Sequence, residues 1–296
     1  MIKSIGFIGF GEAAYLIASG IKQEFKNVEI YAFDANQHHS EIGQAIQKRS
    51  SELNVTLVKG SKELSANCSF IINATSAKIA YNVAKETLPY LSNKQFYLDI
   101  NAASPMVMED IANLFEGKSN FIDGAVVESI PKYKHRVPIL VSGVKAKEFK
   151  RVIGDSLNLN TSYISDQPGN ASAIKMIRSV FMKGFTMLLV ETLSASEKYN
   201  IDNWIIESIS KSIVSNSILD TINLLIPRSV PHAERRVSEM NEVIQTLDKL
   251  NVDTTISTAT RDKLNLLVEM GIKEKFNSDI PTDYKAVIEK INYLKV

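Results

Sequence analysis

The run Ser4-Ile5-Gly6-Phe7-Ile8, followed at once by Gly9-Phe10-Gly11-Glu12-Ala13-Ala14, constrains the fold more than any other stretch of this chain. An apolar β-type run that ends in two closely spaced glycines and continues as a helical pattern reads as the strand, turn and helix of a dinucleotide-binding unit. Gly9 can take the backbone angles of a tight turn. Gly11 lacks the Cβ that keeps a pyrophosphate off the backbone, and Ala14 is small enough for close helix-on-strand packing. A helix starting there aims its unpaired N–H groups and the positive end of its dipole at phosphates. Gly9, Phe10, Gly11, Glu12, Ala13 and Ala14 are therefore expected at a cofactor. A purely structural turn is the alternative.

The second β-type run, 28–33, ends in Asp34, about 20 residues after Ala14, where the dinucleotide fingerprint places an acidic residue. Asp34 is expected to accept hydrogen bonds from the adenosine ribose. A carboxylate there repels a 2′-phosphate and Ala35-Asn36 bring no cation, so NAD is favoured, with NADP possible. The alternative for Asp34 is a plain helix cap.

Up to about residue 165 short β-type runs alternate with helical segments, which implies a Rossmann-type, doubly wound parallel sheet with crossover helices. Strands are expected at 4–8, 28–33, 55–58, 69–74, 96–100, 120–122 and 137–142, with helices such as 12–25 and 79–91 between them. From about Asp166 long 3.6-residue periodicities take over and no strand follows. The expected division is 1–165, a dinucleotide-binding domain, and 166–296, an all-α domain for substrate binding and dimerisation. The second half reads as helices at 171–199, 202–225, 231–250, 254–271 and 281–294, with Pro227, Pro231 and Pro281 marking breaks or first turns. The helix 171–199 is apolar on most sides, so it is expected to be covered by other helices or by a second copy, giving a homodimer.

Composition narrows the partners. The 296 residues carry a net charge of +1 with both signs dispersed, which gives no footprint for nucleic acid or an anionic membrane. Cys68 is the only cysteine, so no internal disulfide can form, and a reducing, cytoplasmic setting is expected. The chain enters a core strand after three residues, so no secretory signal is expected, and no apolar run has membrane-spanning length. His38, His39, His135 and His232 lack metal-ligand spacing, so no metal is expected. His135 lies in the basic stretch Lys132-Tyr133-Lys134-His135-Arg136, read as a surface loop.

Several motifs along nearly the whole chain resemble the β-hydroxyacid dehydrogenase superfamily, which includes 6-phosphogluconate and 3-hydroxyisobutyrate dehydrogenases. The run from Ile5 to Gly11 looks like its N-terminal cofactor signature, and Asp99-Ile100-Asn101-Ala102-Ala103-Ser104-Pro105 is similar to its second. Asp123-Gly124-Ala125-Val126-Val127 stands where its substrate loop begins. Gly169-Asn170-Ala171-Ser172-Ala173-Ile174-Lys175 is similar to its glycine-rich lead into a long helix bearing a catalytic lysine. The motifs Lys175-Met176-Ile177-Arg178-Ser179 and His232 to Met240 resemble a less characterised branch. Three places depart from the better-known enzymes. Val127-Glu128-Ser129 replaces a neutral Ser-Gly-Gly, Ser179 replaces an asparagine one turn after the lysine, and Asn101-Ala102 replaces a hydroxyl pair.

The resemblance implies hydride transfer between a nicotinamide and a small hydroxy acid or related anion, with Lys175 moving the hydroxyl proton. An ordinary lysine is a poor base at neutral pH, so burial or a neighbouring cation such as Arg178 must destabilise its charge. Lys175, Arg178 and Ser179 share one helix face. Arg178 and Arg236 are candidate anchors for the substrate's anion, with Ser104 and Ser179 beside them. Arg235 and Arg236 can also pair with Glu239 as a solvated face. Thr75, Ser76 and Asn101 follow strand ends at the sheet's C-terminal edge and are expected at the nicotinamide ribose. Two other functions fit the same architecture: an imine reductase, and a cofactor-binding sensor or scaffold that has lost catalysis.

Overall fold

A computed structural model describes residues 2–117, 120–213 and 217–294. They form two compact units, Met1–Val180 and Phe181–Val296.

The first unit is an eight-stranded sheet of β1 (Ser4–Ile8), β2 (Glu29–Phe33), β3 (Thr56–Leu57), β4 (Phe70–Asn73), β5 (Phe96–Asp99), β6 (Asn120–Val126), β7 (Ile139–Ser142) and β8 (Thr161–Ser165). Their order is β3-β2-β1-β4-β5-β6-β7-β8. The chain winds outward from β1 in one direction and from β4 in the other, so the point where the order reverses lies beside the glycine turn. Crossovers run through α1 (Glu12–Glu24), α2 (Ile42–Leu53), α3 (Ser61–Asn67), α4 (Ala80–Thr87) and α5 (Pro105–Phe115). Each returns the chain parallel to its neighbour in the sheet, which takes a connection of a dozen or more residues.

The expected doubly wound parallel sheet is present, with one antiparallel pair toward its far edge. Between β6 and β7 stand α6 (Ile130–Tyr133) and a single 3₁₀ turn, and β7 pairs antiparallel with β6. A second connection through α7 (Ala146–Phe149) and further helical turns then lays β8 parallel to β7. The sequence reading did not include β8.

Alternation along the central strands explains their continuous apolar runs, since both faces are covered. Ile5, Phe7, Phe70, Ile72, Phe96 and Leu98 face one buried cluster, which includes Phe149 at 5.5 Å from the Phe70 ring and 5.6 Å from Phe96. Ile8, Ile71 and Tyr97 face the other, where Tyr97, Phe115 and Phe121 pack ring against ring.

The long helix α8 (Asn170–Tyr199) begins in the first unit and ends in the second. The second unit continues with α9 (Asp202–Ile213), α10 (Ile218–Ser229), α11 (Ala233–Lys249), α12 (Thr255–Glu269) and α13 (Tyr284–Leu294). The helix expected over 202–225 is thus two. Ser217 starts the second by accepting a hydrogen bond from the Asp220 backbone N–H at 3.1 Å, while residues 214–216 lie outside the described ones. Pro227 does not break α10 where expected; it sits inside the last turn, and the break follows it. Glu191 of α8 is buried, and its carboxylate receives the Ile256 and Ser257 backbone N–H groups at 2.8 and 2.9 Å, which caps the start of α12. Val230, Ile272 and Val287 form a buried cluster in this unit, and Ala233, Leu247 and Val252 are also buried, whereas Phe181, Trp204 and Ile218 are exposed. Among the described residues no helix is long and apolar enough to cross a membrane.

Candidate functional site

Gly9 takes φ +80°, and a Cβ on it would stand 2.7 Å from the Ala74 carbonyl oxygen, so only glycine fits this turn. Around Gly11 the opposite holds: a Cβ there would meet nothing within 4 Å. Gly11 caps α1 without a side-chain hydrogen bond, and the first backbone bond of the helix runs from Tyr15 N–H back to Gly11. The N–H groups of the first turn therefore point into open space without an intrahelical acceptor. These features fit an anionic group lying across the turn.

The C-terminal edge of the sheet beside this turn encloses a cavity of about 550 Å³ within the first unit. Its wall brings together Glu12, Ala13, Thr75, Asn101 and Lys175 of the expected site residues. Leu16, Ala74, Ile100, Val126, Val127, Glu128, Ile130 and Pro131 complete it. Gly9, Gly11 and Ala14 are not part of its wall. Phe10 turns its ring wholly into the core against Phe7, at 6.1 Å between centroids.

Asp34 stands next to the turn. It accepts the Phe10 backbone N–H at 2.8 Å and the Asn36 backbone N–H at 2.9 Å, so part of its carboxylate holds the turn in place. Ser76 is exposed and does not line the cavity. Ser104 caps α5, accepting the Val107 backbone N–H at 3.3 Å. Ser179 turns its hydroxyl back onto the Lys175 carbonyl at 3.0 Å. Arg178 stands outside the wall, its Nη2 3.9 Å from Glu128 Oε1. Arg236 belongs to the second unit, on α11, where its neighbour Arg235 pairs with Glu239 at 3.4 Å across a helix turn.

Beneath the cavity runs a buried polar row that crosses four strands. Asn73, Asp99, Asp123 and Ser142 are register partners in turn on β4, β5, β6 and β7, and none has exposed surface. Asn73 donates to Asp99 at 2.7 Å and accepts the Thr75 hydroxyl at 2.9 Å. Asp99 also receives the Asn101 backbone N–H at 2.9 Å and its side-chain amide at 3.1 Å. The two cavity residues Thr75 and Asn101 are thereby held from below. Burial pushes the Asp99 carboxyl up to about 6, against the pull of Asn101 and Asn73, with the nearby Asp123 charge adding to the rise.

Asp123 holds the start of α8. Its carboxylate receives the Gly169 and Ser172 backbone N–H groups at 3.0 and 3.1 Å, the Ser172 hydroxyl at 2.6 Å and the Ser142 hydroxyl at 2.8 Å. An anion at this helix N-terminus is favoured by the helix dipole. The clamp fixes the helix one turn ahead of Lys175, whose half-buried side chain reaches the cavity. Burial alone lowers the Lys175 pKa from the ordinary 10.5, with no carboxylate set against it.

His135, read as part of a surface loop, is instead buried against α1, with its Nε2 2.9 Å from Glu24 Oε2. It packs where Gly20 leaves room: a Cβ on Gly20 would collide with the ring. Arg136 beside it is exposed and reaches the same carboxylate at 2.8 Å. Among the described residues no cluster of three or more His, Cys, Asp and Glu is placed to hold a metal ion. Glu128, Ile130 and Pro131 were not expected as site residues. The only sequence signal for them was the departure of Val127-Glu128-Ser129 from a neutral loop.

Residues 196–267 match a domain of unknown function, DUF1932. A conserved hypothetical protein from Sinorhizobium meliloti is 30% identical, with a TM-score of 0.63 over 90% of this chain and 88% of that one. A conserved protein of unknown function, described as structurally similar to 3-hydroxyacid dehydrogenases, is 28% identical, with a TM-score of 0.61 over 90% of this chain and 97% of its own. An imine reductase variant from Myxococcus stipitatus in complex with NAD+ is 14% identical, with a TM-score of 0.70 over 96% of this chain and 97% of its own. At that identity the likeness is one of fold.

Proposed function

Because this chain belongs to the β-hydroxyacid dehydrogenase superfamily, in the branch that carries the DUF1932 domain, we propose that it is a NAD(P)-dependent oxidoreductase that oxidises or reduces a small hydroxy acid. The observation that carries this reading is Lys175: it opens into the same cavity as the residues that follow the glycine turn, and burial makes it easier to deprotonate.

A bound nicotinamide dinucleotide supplies the hydride acceptor. The chain does the rest. The uncapped N–H groups after Gly11 bind phosphate, Thr75 and Asn101 hold the ribose next to the nicotinamide, and Asp34 takes the adenosine ribose, which favours NAD over NADP. Ser104, Arg178, Ser179 and Arg236 are the substrate-side candidates. When the substrate is oxidised, its hydroxyl proton passes to the neutral Lys175 amine as the carbinol C–H leaves with its electron pair and the C=O bond forms. In the reducing direction the Lys175 ammonium returns that proton.

Lys175→Ala tests the assignment. The expected result is a loss in kcat/KM of about 10³-fold, with cofactor affinity, followed by NADH fluorescence, unchanged within about twofold. Turnover that survives the substitution overturns the role of Lys175. We further propose a homodimer joined through the helical unit, supported by the exposed Phe181, Trp204 and Ile218. A reducing, cytoplasmic setting is supported by Cys68, the only cysteine, whose thiol is buried and pushed up to about 12 by that burial.

A further inference from the structure

We infer that the contact of His135 with Glu24 fixes the part of the cavity wall formed by Val127, Glu128, Ile130 and Pro131. His135 is then a positioning residue for the reaction, a role that rests on the reading of this cavity as the catalytic one.

Residues 127–138 join β6 to β7 and supply those four wall residues. Backbone hydrogen bonds such as those from Lys132 and Tyr133 to the Ser129 carbonyl, at 3.2 and 3.3 Å, close the segment on itself and do not tie it to the sheet. What it leans on therefore decides where the wall stands. It leans on α1, which lends Glu12, Ala13 and Leu16 to the same cavity and grips the segment at its other end, about 18 Å along the helix axis. There Gln23 accepts the Lys134 ammonium at 3.0 Å, and one oxygen of Glu24 accepts His135 Nε2 at 2.9 Å and Arg136 Nη2 at 2.8 Å. The Asn158 side-chain amide donates to the other oxygen.

Burial holds the His135 pKa below the ordinary 6.5 against the pull of Glu24, so the ring is neutral at pH 7. A carboxylate only accepts, which puts the ring proton on Nε2 and leaves Nδ1 a bare acceptor, buried without a partner among the described residues. Nδ1 faces Gly20, where a Cβ would stand 2.3 Å away. Lys134 takes φ +52° and ψ −127°, a conformation that costs a residue with a Cβ. Such strain persists only where the surroundings over-determine it. Here Ile130, packed on the core, and His135, seated on α1, hold the bend from both sides. Because α6 is a single turn, a shift of His135 beyond its end is passed to Ile130 and Pro131 at its start. His135 does not line the cavity, so it acts through them.

The test uses the full chain. Hydrogen exchange read by mass spectrometry needs no substrate: His135→Ala and Gly20→Ala should speed exchange over 127–137 at least about tenfold and leave β1 and β4 unchanged. Gly20→Ala favours the helix itself and opposes only what packs beside it. His135→Gln keeps a donor for Glu24 and should restore most of the protection. With NAD+ and 3-hydroxybutyrate, His135→Ala should lower kcat/KM about 10–100-fold, mainly through KM, with NADH affinity held within about twofold. Thr75 and Asn101 keep their own support from Asn73 and Asp99. His135→Gln should recover the KM. Unchanged exchange over 127–137 in both variants overturns the inference, and so does a rise spread over the whole sheet with KM unmoved, the mark of a merely structural contact. Turnover that survives Lys175→Ala yet still weakens with His135→Ala removes the proton carrier and leaves the positioning role. If no hydroxy acid is turned over, the catalytic reading falls; faster exchange confined to 127–137 then still supports the hold of His135 on the wall, and spread exchange overturns it.

Discussion

The two units of this protein bury their apolar residues to very different degrees. In the first, Ile5, Phe7, Phe70, Tyr97 and Phe149 have essentially no exposed surface, and two clusters cover both faces of the sheet. In the second, apart from proline, only Val230, Ala233, Leu247, Val252, Ile272 and Val287 are buried apolar residues among the described ones, and Trp204 leaves about three-quarters of its surface exposed. Helices of similar apolar content can thus be signed by the same periodicity and still differ in what covers them. A 3.6-residue pattern says that a face is to be buried; whether its own chain or another surface does so is decided by packing. The first unit covers both faces of its sheet, and the second leaves more large apolar side chains exposed than buried among the described residues.

The largest effect should come from the sheet unit. Phe149→Ala removes a ring packed against both Phe70 and Phe96 and leaves a cavity in a closed core. The expected cost is about 3–5 kcal/mol, read by denaturant unfolding. A cost near zero would mean that this core is loosely packed, and the contrast between the units would fail at its stronger end.

A smaller effect follows from charge buried in the same unit. The Asp99 carboxyl rises from its ordinary 3.8 to about 6 because it is buried, so the folded chain takes up a proton between about pH 6 and pH 4 that the unfolded chain does not. The sign is that of a raised acid: this group favours the unfolded state above pH 6, and that penalty is relieved as pH falls through 6. Its size is on the order of 1–3 kcal/mol. Asp99→Asn removes the titration. The measured difference in stability between the original chain and this variant should therefore move in favour of the original between pH 7.5 and pH 5. Parallel pH profiles for the two would show that Asp99 does not titrate in this window.

How much of this was legible in the sequence depends on whether the signal is contiguous. The glycine turn lies in one stretch, and Asp34 sits at a fixed interval from it, so that side of the cavity could be read directly. Strands β1, β4 and β5 are legible because burial on both faces makes them continuous apolar runs. Strand β8, Thr161-Ser162-Tyr163-Ile164-Ser165, pairs on one side only and carries no such run, so it left no signal. The reversal at β7 was not legible, since the segment after β6 is as long as the one that carries the chain from β3 through α3 to β4. The buried row from Asn73 to Ser142 was not either, because its members come together only through strand register. A single polar residue closing an apolar strand does not reveal which residue will lie beside it. Glu128 stood out only as a departure from a resembling family, and its place on the cavity wall needed the fold.

The smallest effect sharpens the comparison most. Trp204 is 74% exposed, so in a single chain its truncation to alanine should change stability by no more than about 0.5 kcal/mol. A tryptophan on a face covered by a second copy behaves differently, since large aromatic side chains carry a disproportionate share of interface energy. With the dimer proposed above, Trp204→Ala should leave the unfolding midpoint of the dilute chain unchanged and lower it at high concentration, where association stabilises the folded form by mass action. Light scattering at micromolar concentration should show the original chain as a dimer and shift toward monomer in the variant. A mass and a midpoint that ignore both the substitution and concentration would remove the helical unit's exposed face from the proposed interface. The low burial of the second unit would then be a property of the chain as it works, with stability concentrated in the sheet. A concentration-dependent loss would instead show that the difference between the units is made up on assembly, because the same residue would be nearly neutral alone and costly in the pair.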